Sequence, residues 1–414
     1  MAPATRGASL KRRVRSVGGT FIRRMGLLPG GVPDRNGDDA RLATQRLDAE
    51  VLVFFADTED GLYQLRQWYA PLAALDARHR IAVVTADSRT AALIRTETGF
   101  EVVTVARYAT LDGLLARSDV RLVLYVNHNP ENFSMLRFAS VAHVSLLHGD
   151  SDKVVSVSNQ AKAYDFSFVA GQAAVDRLDR YLPRFDAPAR TVIVGRPQLE
   201  TPAVRPPVAP GARATVLYAP TWEGAQPTAA YGSVATHGLA LVERLLDDGG
   251  FDVVYRPHPL SGVRDAAYGE ADATIRERLA RAAEAQPQAG HRVSGDESLA
   301  EAFAAADVLV CDVSAVAMDW LPNGRPLVVT VPTSTETVTA STRLLDTVPR
   351  LAVADVAGAA GLLRAELEDD PGRDARHALL EYYLGDTTPG ASMAAFVTAC
   401  ERMIALADSD ARVP

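Results

Sequence analysis

Cysteine is almost missing from this 414-residue chain, which carries only Cys311 and Cys400. Two thiols that far apart in sequence exclude a disulfide scaffold and a cysteine-built metal cage, and they read as buried side chains of a reducing compartment. Long apolar runs are lacking too, since none approaches the ~20 residues needed to cross a bilayer. No HExxH, paired CxxC, Walker loop or GxGxxG is present, so neither a metal centre nor a dinucleotide fingerprint is expected. Phosphate charge, if the protein handles any, has to be met by Arg, His and helix termini.

Acidic residues are absent ahead of Asp34, where seven cations lie (Arg6, Lys11, Arg12, Arg13, Arg15, Arg23, Arg24), so this leader carries +7 of a formal net charge of −8 and the remainder −15. An acidic body argues against nucleic acid as the main partner. Leu10, Val14, Val17, Phe21, Ile22 and Met25 set apolar groups among the cations, which fits an anionic membrane surface met by residues 1–33. The other reading is an unstructured tail, because Gly18-Gly19 interrupts any helix. The leader lacks the apolar core of a secretory signal. The expected location is cytoplasmic, peripheral on the inner face of the plasma membrane.

A hydrophobic fraction of 48% describes a globular protein, and the length suits two domains of roughly 180 residues each. Short apolar runs alternate with helical patterns. Val51 to Phe55, Ile81 to Thr85, Glu101 to Val105, Leu122 to Val126, Val141 to Leu147, Phe166 to Ala170 and Val192 to Val194 read as strands. Gly61 to Arg78, Ser88 to Thr98, Leu111 to Arg117 and Gln172 to Tyr181 read as helices. After a proline-rich stretch (Pro197, Pro202, Pro206, Pro207, Pro210) the pattern restarts at Thr215 to Tyr218. It continues through strands at Asp252 to Tyr255, His291 to Val293, Val308 to Cys311 and Pro326 to Val331, and helices at Leu239 to Asp247, Ala271 to Ala285, Leu299 to Ala305 and Ala315 to Trp320. Such alternation predicts an α/β protein of two Rossmann-like domains with a central cleft. The expected divisions are a leader and polar linker (1–48), a first domain (49–195), a linker (196–213), a nucleotide-binding second domain (214–388) and a C-terminal helix and tail (389–414).

Several polar groups stand at predicted strand ends, where open α/β sheets bind ligands. His148-Gly149-Asp150 closes the run Val144 to Leu147, which makes His148 a candidate general base or else a histidine satisfied by local hydrogen bonds. Gly149 allows close approach, and Asp150 and Lys153 are placed to orient the ring or a substrate. Arg256-Pro257-His258-Pro259 ends another strand, the prolines stiffening the backbone around His258. Thr221 can bond phosphate, and Trp222 can wall the cleft. Asp312 and Ser314 flank Val313 before a helix whose first amides, at Ala315 and Val316, need acceptors. Ser314 and those amides can hold a phosphate, Asp312 would orient a neighbour, and Asp319 could receive a ribose hydroxyl. Asp386 and Ser392 lie around the Pro389-Gly390 turn, either as site residues or as parts of a packing loop.

Taken together, Tyr218-Ala219-Pro220-Thr221-Trp222, Arg256-Pro257-His258-Pro259, Asp307 to Val329 and Tyr382 to Ser392 resemble the CDP-glycerol glycerophosphotransferase family, the teichoic acid primases and polymerases. His148-Gly149, Lys153 and Gly195-Arg196-Pro197 resemble further elements of it. The resemblance implies a GT-B architecture and transfer of glycerol phosphate, or a related polyol phosphate, from CDP-glycerol to a hydroxyl of a lipid-linked or cell-wall glycopolymer, releasing CMP. No metal or other cofactor is implied. His148 would correspond to the base that activates the acceptor, and His258 and Ser314 to groups holding the donor phosphates. This chain departs from the family at Ala315, where a TDYSS-like string has a hydroxyl, and at Asp150, where a small hydroxylated residue is common. Two other readings of the same fold stay open: a glycosyltransferase or epimerase using a UDP-sugar, and a non-catalytic nucleotide-binding protein.

Overall fold

Why the apolar runs form strands is plain from where their side chains go. In the computed structural model, which describes residues 37–147, 149, 151–153, 157–199, 208, 211–295, 297–339 and 342–410, they build two sheets. The first contains β1 (Val51–Phe55), β2 (Ile81–Thr85), β3 (Glu101–Thr104), β4 (Leu122–Tyr125), β5 (Ala142–Ser145), β6 (Phe166–Val169) and β7 (Thr191–Ile193), in the order β3-β2-β1-β4-β5-β6-β7. The second contains β8 (Ala214–Ala219), β9 (Phe251–Tyr255), β10 (Arg292–Val293), β11 (Val308–Cys311), β12 (Leu327–Thr330) and β13 (Arg350–Leu351), in the order β10-β9-β8-β11-β12-β13. Pairing is parallel in both, for example Val53 with Val83 and Leu124, and Val310 with Tyr218 and Val328.

The second sheet is buried on both faces. Leu217, Val254, Leu309, Cys311, Leu327 and Val329 point into one core, and Val216, Tyr218, Val253, Tyr255, Val308, Val310 and Val328 into another. Period-two side-chain alternation with both faces covered is what turns these strands into unbroken apolar runs instead of alternating ones. Both cysteines are free and buried.

The chain divides into two compact units, Met1–His148 with Lys162–Phe168 and Val397–Pro414, and Gly149–Ala161 with Val169–Phe396. This division is discontinuous, unlike the one expected from sequence. The helix Ala391–Asp410 carries the chain from one unit to the other. Residues 38–48 are part of the first unit and not a linker. Asp38 accepts hydrogen bonds from the Thr104 amide (3.0 Å) and Arg95 Nη2 (3.2 Å), and Leu42 and Leu47 are buried. The basic leader lies outside the described residues. No helix among them is long and apolar enough to cross a membrane.

The helix expected over Gly61 to Arg78 is broken into Leu62–Arg66 and Tyr69–Asp76. Pro71 has no N–H to return to the preceding turn, so the helix restarts just ahead of it.

Candidate active site

In the second sheet β8 lies between β9 and β11, so the strand order reverses there, and the carboxyl ends of β8 and β11 mark the switch point at which open α/β sheets form a ligand crevice. The segment Pro220-Thr221-Trp222 follows β8, and Asp312-Val313-Ser314 follows β11. Asp312 ties them together. Its Oδ2 accepts from the amides of Thr221 (2.7 Å) and Ser233 (3.2 Å), and its Oδ1 accepts from the Thr330 hydroxyl (2.6 Å). It is fully buried, and burial raises its pKa while these hydrogen bonds pull the other way. Asp312 therefore fixes the crevice floor and is not open to a ligand.

Lys153 supplies a cation at this point. Its ammonium lies 3.4 Å from the Thr221 hydroxyl and over the Tyr231 ring at 5.1 Å. Burial lowers its pKa to about 8, against the pull of the Asp312 carboxylate. Ser314, two residues after the well-bonded Asp312, is in the opposite condition: its hydroxyl is buried, caps no amide and has no hydrogen-bond partner among the described residues. A buried hydroxyl left unpaired is uncommon and calls for a partner that the described residues do not supply. The helix that follows, Ala315–Trp320, has only six residues, so its dipole is a minor contributor beside Lys153 and the Ser314 hydroxyl. Gly149 faces this helix start. A Cβ there would fall 2.9 Å from the Ala315 Cβ, so glycine is needed for the approach.

His258 is held from two sides. Its Nδ1 accepts the Leu260 amide at 3.1 Å, and its ring stacks on Trp222 with centroids 6.3 Å apart. With Nδ1 accepting, the neutral ring carries its proton on Nε2, which becomes a donor. Trp222 is itself backed by the Arg264 guanidinium at 5.7 Å. Glu223 organises this loop by accepting from the amides of Gly262 (2.9 Å), Arg264 (2.8 Å) and Asp265 (3.1 Å). Arg256 turns one nitrogen, Nη1, to Ser294 Oγ (2.7 Å) and the Glu297 carbonyl (3.0 Å), and burial lowers its pKa.

Asp319 is not placed to receive a ribose hydroxyl. It is 5% exposed, and its two oxygens accept from Arg196 Nε (2.9 Å) and Nη2 (2.8 Å), with Arg196 itself 7% exposed. This fork-to-fork pair anchors the segment after β7 to the helix after β11. Asp386 is exposed and accepts from the Thr388 amide (2.8 Å), a local turn. Ser392 packs on Gly195, whose Cβ would come within 2.7 Å of the serine Cβ at φ 71°. His148 and Asp150 lie outside the described residues. The parts that sequence reading missed are Ser233, Glu223 and Thr330, and the pairing of Arg196. Their only signal was a polar residue at a strand end or in the loop after one, which many surface loops share. No group of three His, Cys, Asp or Glu among the described residues is placed to hold a metal ion.

Comparison with known proteins adds to this geometry. No curated protein matches the sequence. The chain is similar in fold to the wall teichoic acid polymerase TagF, solved as a variant soaked with CDPG, at 13% identity over 97% of this chain and 99% of that one, with a TM-score of 0.54. It is also similar to a glycosyltransferase from Rickettsia africae ESF-5, at 10% identity over 86% and 98% of the two chains, TM-score 0.51. Anabaena HepE, solved with UDP and glucose, is 11% identical over 86% and 99%, TM-score 0.50. These likenesses show the fold, which is of the GT-B class. The profile of the CDP-Glycerol:Poly(glycerophosphate) glycerophosphotransferase family matches residues 204–337, the stretch that holds Thr221, His258, Asp312 and Ser314. Over that segment, about a third of the chain, the sequence is similar to the CDP-glycerol:poly(glycerophosphate) glycerophosphotransferase family.

Proposed function

We propose that the crevice beyond β8 and β11 holds the diphosphate of a CDP-activated polyol, and that the protein transfers glycerol phosphate or a related polyol phosphate from it to a hydroxyl of a lipid-linked or cell-wall glycopolymer, releasing CMP. The observation that carries this reading is the buried, unpartnered Ser314 hydroxyl at a sheet switch point where a buried lysine meets the Thr221 hydroxyl and the field of the Asp312 carboxylate. In the step proposed, the acceptor oxygen forms a bond to the phosphorus that bears glycerol, and the bond from that phosphorus to the CMP oxygen breaks. His148 takes the acceptor proton. His258, Lys153 and Ser314 stabilise charge developing on the leaving side, so positive charge and donors come from the protein and no metal ion is required. Positioning and charge stabilisation supply most of the acceleration in such transfers.

A melting-temperature panel with CDP-glycerol, CDP-ribitol and UDP-sugars tests the donor. CDP-glycerol or CDP-ribitol should raise the midpoint, by about 2.7 kcal/mol of stability at a hundredfold excess over Kd. A shift given by UDP-sugars alone would overturn the donor assignment.

Lys153 gives the reading a pH signature. Its folded pKa of about 8 lies below the ordinary lysine value, so the cation is present below pH 8 and lost above it. Donor affinity should therefore fall as pH rises through 8. A bound diphosphate shifts the loss upward within the complex, because a nearby anion favours the charged amine. Lys153→Met should weaken binding roughly tenfold to a hundredfold at pH 7, the worth of a hydrogen bond to a charged group, and flatten the profile between pH 7 and 9. Calorimetric titration of CDP-glycerol across that range checks both; an unchanged slope in the variant would remove Lys153 from the site.

The acceptor's lipid would lie at a membrane, and the cations of residues 1–33 would meet its anionic surface. Cosedimentation with anionic vesicles should be lost when residues 1–33 are deleted, and retention would assign membrane contact elsewhere.

A further inference from the structure

The first sheet has its own switch point, between β1 and β4, with β2 on the far side of β1. Beyond these strands lies a polar cluster that the transferase reading leaves unused. Asn127, 4% exposed, donates from Nδ2 to Gln64 Oε1 (2.6 Å) and Asp57 Oδ2 (3.4 Å). Asn132, fully buried, donates from Nδ2 to the Asn127 carbonyl (2.8 Å) and the Tyr164 hydroxyl (3.0 Å). His128 stacks on the Tyr164 ring with centroids 5.8 Å apart and planes at 21°. Gly61 makes room for Asp57, since a Cβ there would fall 2.5 Å from the carboxylate.

Three atoms of this cluster are buried without a partner: Asn127 Oδ1, Asn132 Oδ1 and His128 Nδ1. Two are amide oxygens, which can only accept. Burial lowers the His128 pKa to about 4, so its ring is neutral at neutral pH and can accept as well. Asp57 adds a carboxylate at Asn127 Nδ2. An acceptor-rich site with one negative group repels phosphate, and a single carboxylate is a poor hold for a divalent ion. What it suits is an uncharged group that donates several hydrogen bonds.

We propose that this side-chain cluster of the first unit binds the hydroxyls of a neutral polyol or sugar segment, through Asn127, His128 and Asp57, with Asn132 bracing Asn127. The proposal rests on the transferase reading, in which that segment is the hydroxyl-bearing end of the acceptor.

The full-length protein is titrated by calorimetry with triglycerol, an uncharged glycerol oligomer, and with inorganic phosphate, alongside the CDP-glycerol melting shift. Asn127→Leu removes the amide, and His128→Phe keeps the ring stack while removing the nitrogens. The expected result is oligomer binding to the wild type that phosphate does not displace, weakened tenfold or more in both variants, with the CDP-glycerol shift retained. Should Asn127→Leu fail to fold, His128→Phe decides. Variants that bind the oligomer as the wild type does overturn the proposal, as does displacement by phosphate. A wild type that responds to CDP-glycerol but binds no oligomer overturns it while leaving the donor reading intact. Oligomer binding that depends on these residues without any CDP-glycerol shift removes the donor reading and keeps this site.

Discussion

His258→Ala is expected to lower turnover by about 10²–10³ while the folded protein survives, the loss seen when one preorganised donor to developing charge is removed. The cause is local. The Leu260 amide occupies Nδ1 at 3.1 Å, which leaves Nε2–H as the donor, and the Trp222 stack fixes the ring plane. The donor is thus aimed before substrate arrives, and alanine removes it without leaving a buried cavity, because His258 is only half-buried. His148→Ala should cost about 10²–10⁴, the range for a general base. The two are distinguished by the pH profile of kcat/KM: loss of the base removes the acidic limb, and loss of the donor lowers the whole curve. Release of CMP from CDP-glycerol, measured beside thermal unfolding, checks both. Near-normal turnover in either variant would remove that residue from the mechanism.

Asp319→Ala should destabilise the second unit strongly. It leaves the Arg196 guanidinium, 7% exposed, without the carboxylate that holds it at 2.8 and 2.9 Å. Breaking one side of a buried pair costs about 3–5 kcal/mol, because the remaining charge stays desolvated and loses its matched carboxylate. At roughly 2–4 °C per kcal/mol for a domain of this size, the melting temperature should drop by about 10 °C. The double variant Arg196→Met with Asp319→Leu should recover much of this, since no buried charge remains. Urea unfolding of the three proteins measures it. A single variant as stable as the wild type would mean that Arg196 finds solvent or another partner, and that the pair does not anchor the linker.

The strands were legible because both faces of each sheet are covered, which turns Val51–Phe55, Val308–Cys311 and their neighbours into apolar runs that few other structures tolerate. Helix starts with a capping side chain were nearly as clear: Asp87 ahead of Ser88–Glu97, and the Ser298–Glu301 capping box ahead of Leu299–Ala305. The helices Arg343–Thr347, Ala359–Asp369, Arg373–His377 and Leu380–Leu384 went unread, being short or weakly patterned, so that tertiary packing and not local propensity settles them.

Residue order by itself determined the two αβ series, the burial of both thiols, the absence of a bilayer-length apolar run and the chemistry gathered at the strand ends, because each follows from local pattern. Tertiary structure alone decided what those polar groups are for. Asp312 and Asp319 are both acidic residues near one helix, yet one ties three strand ends together and the other is matched to Arg196, 123 residues away in sequence. A carboxylate's role depends on which donors the fold brings within about 3 Å of it, and that proximity is set by sheet order, which no stretch of sequence spells out.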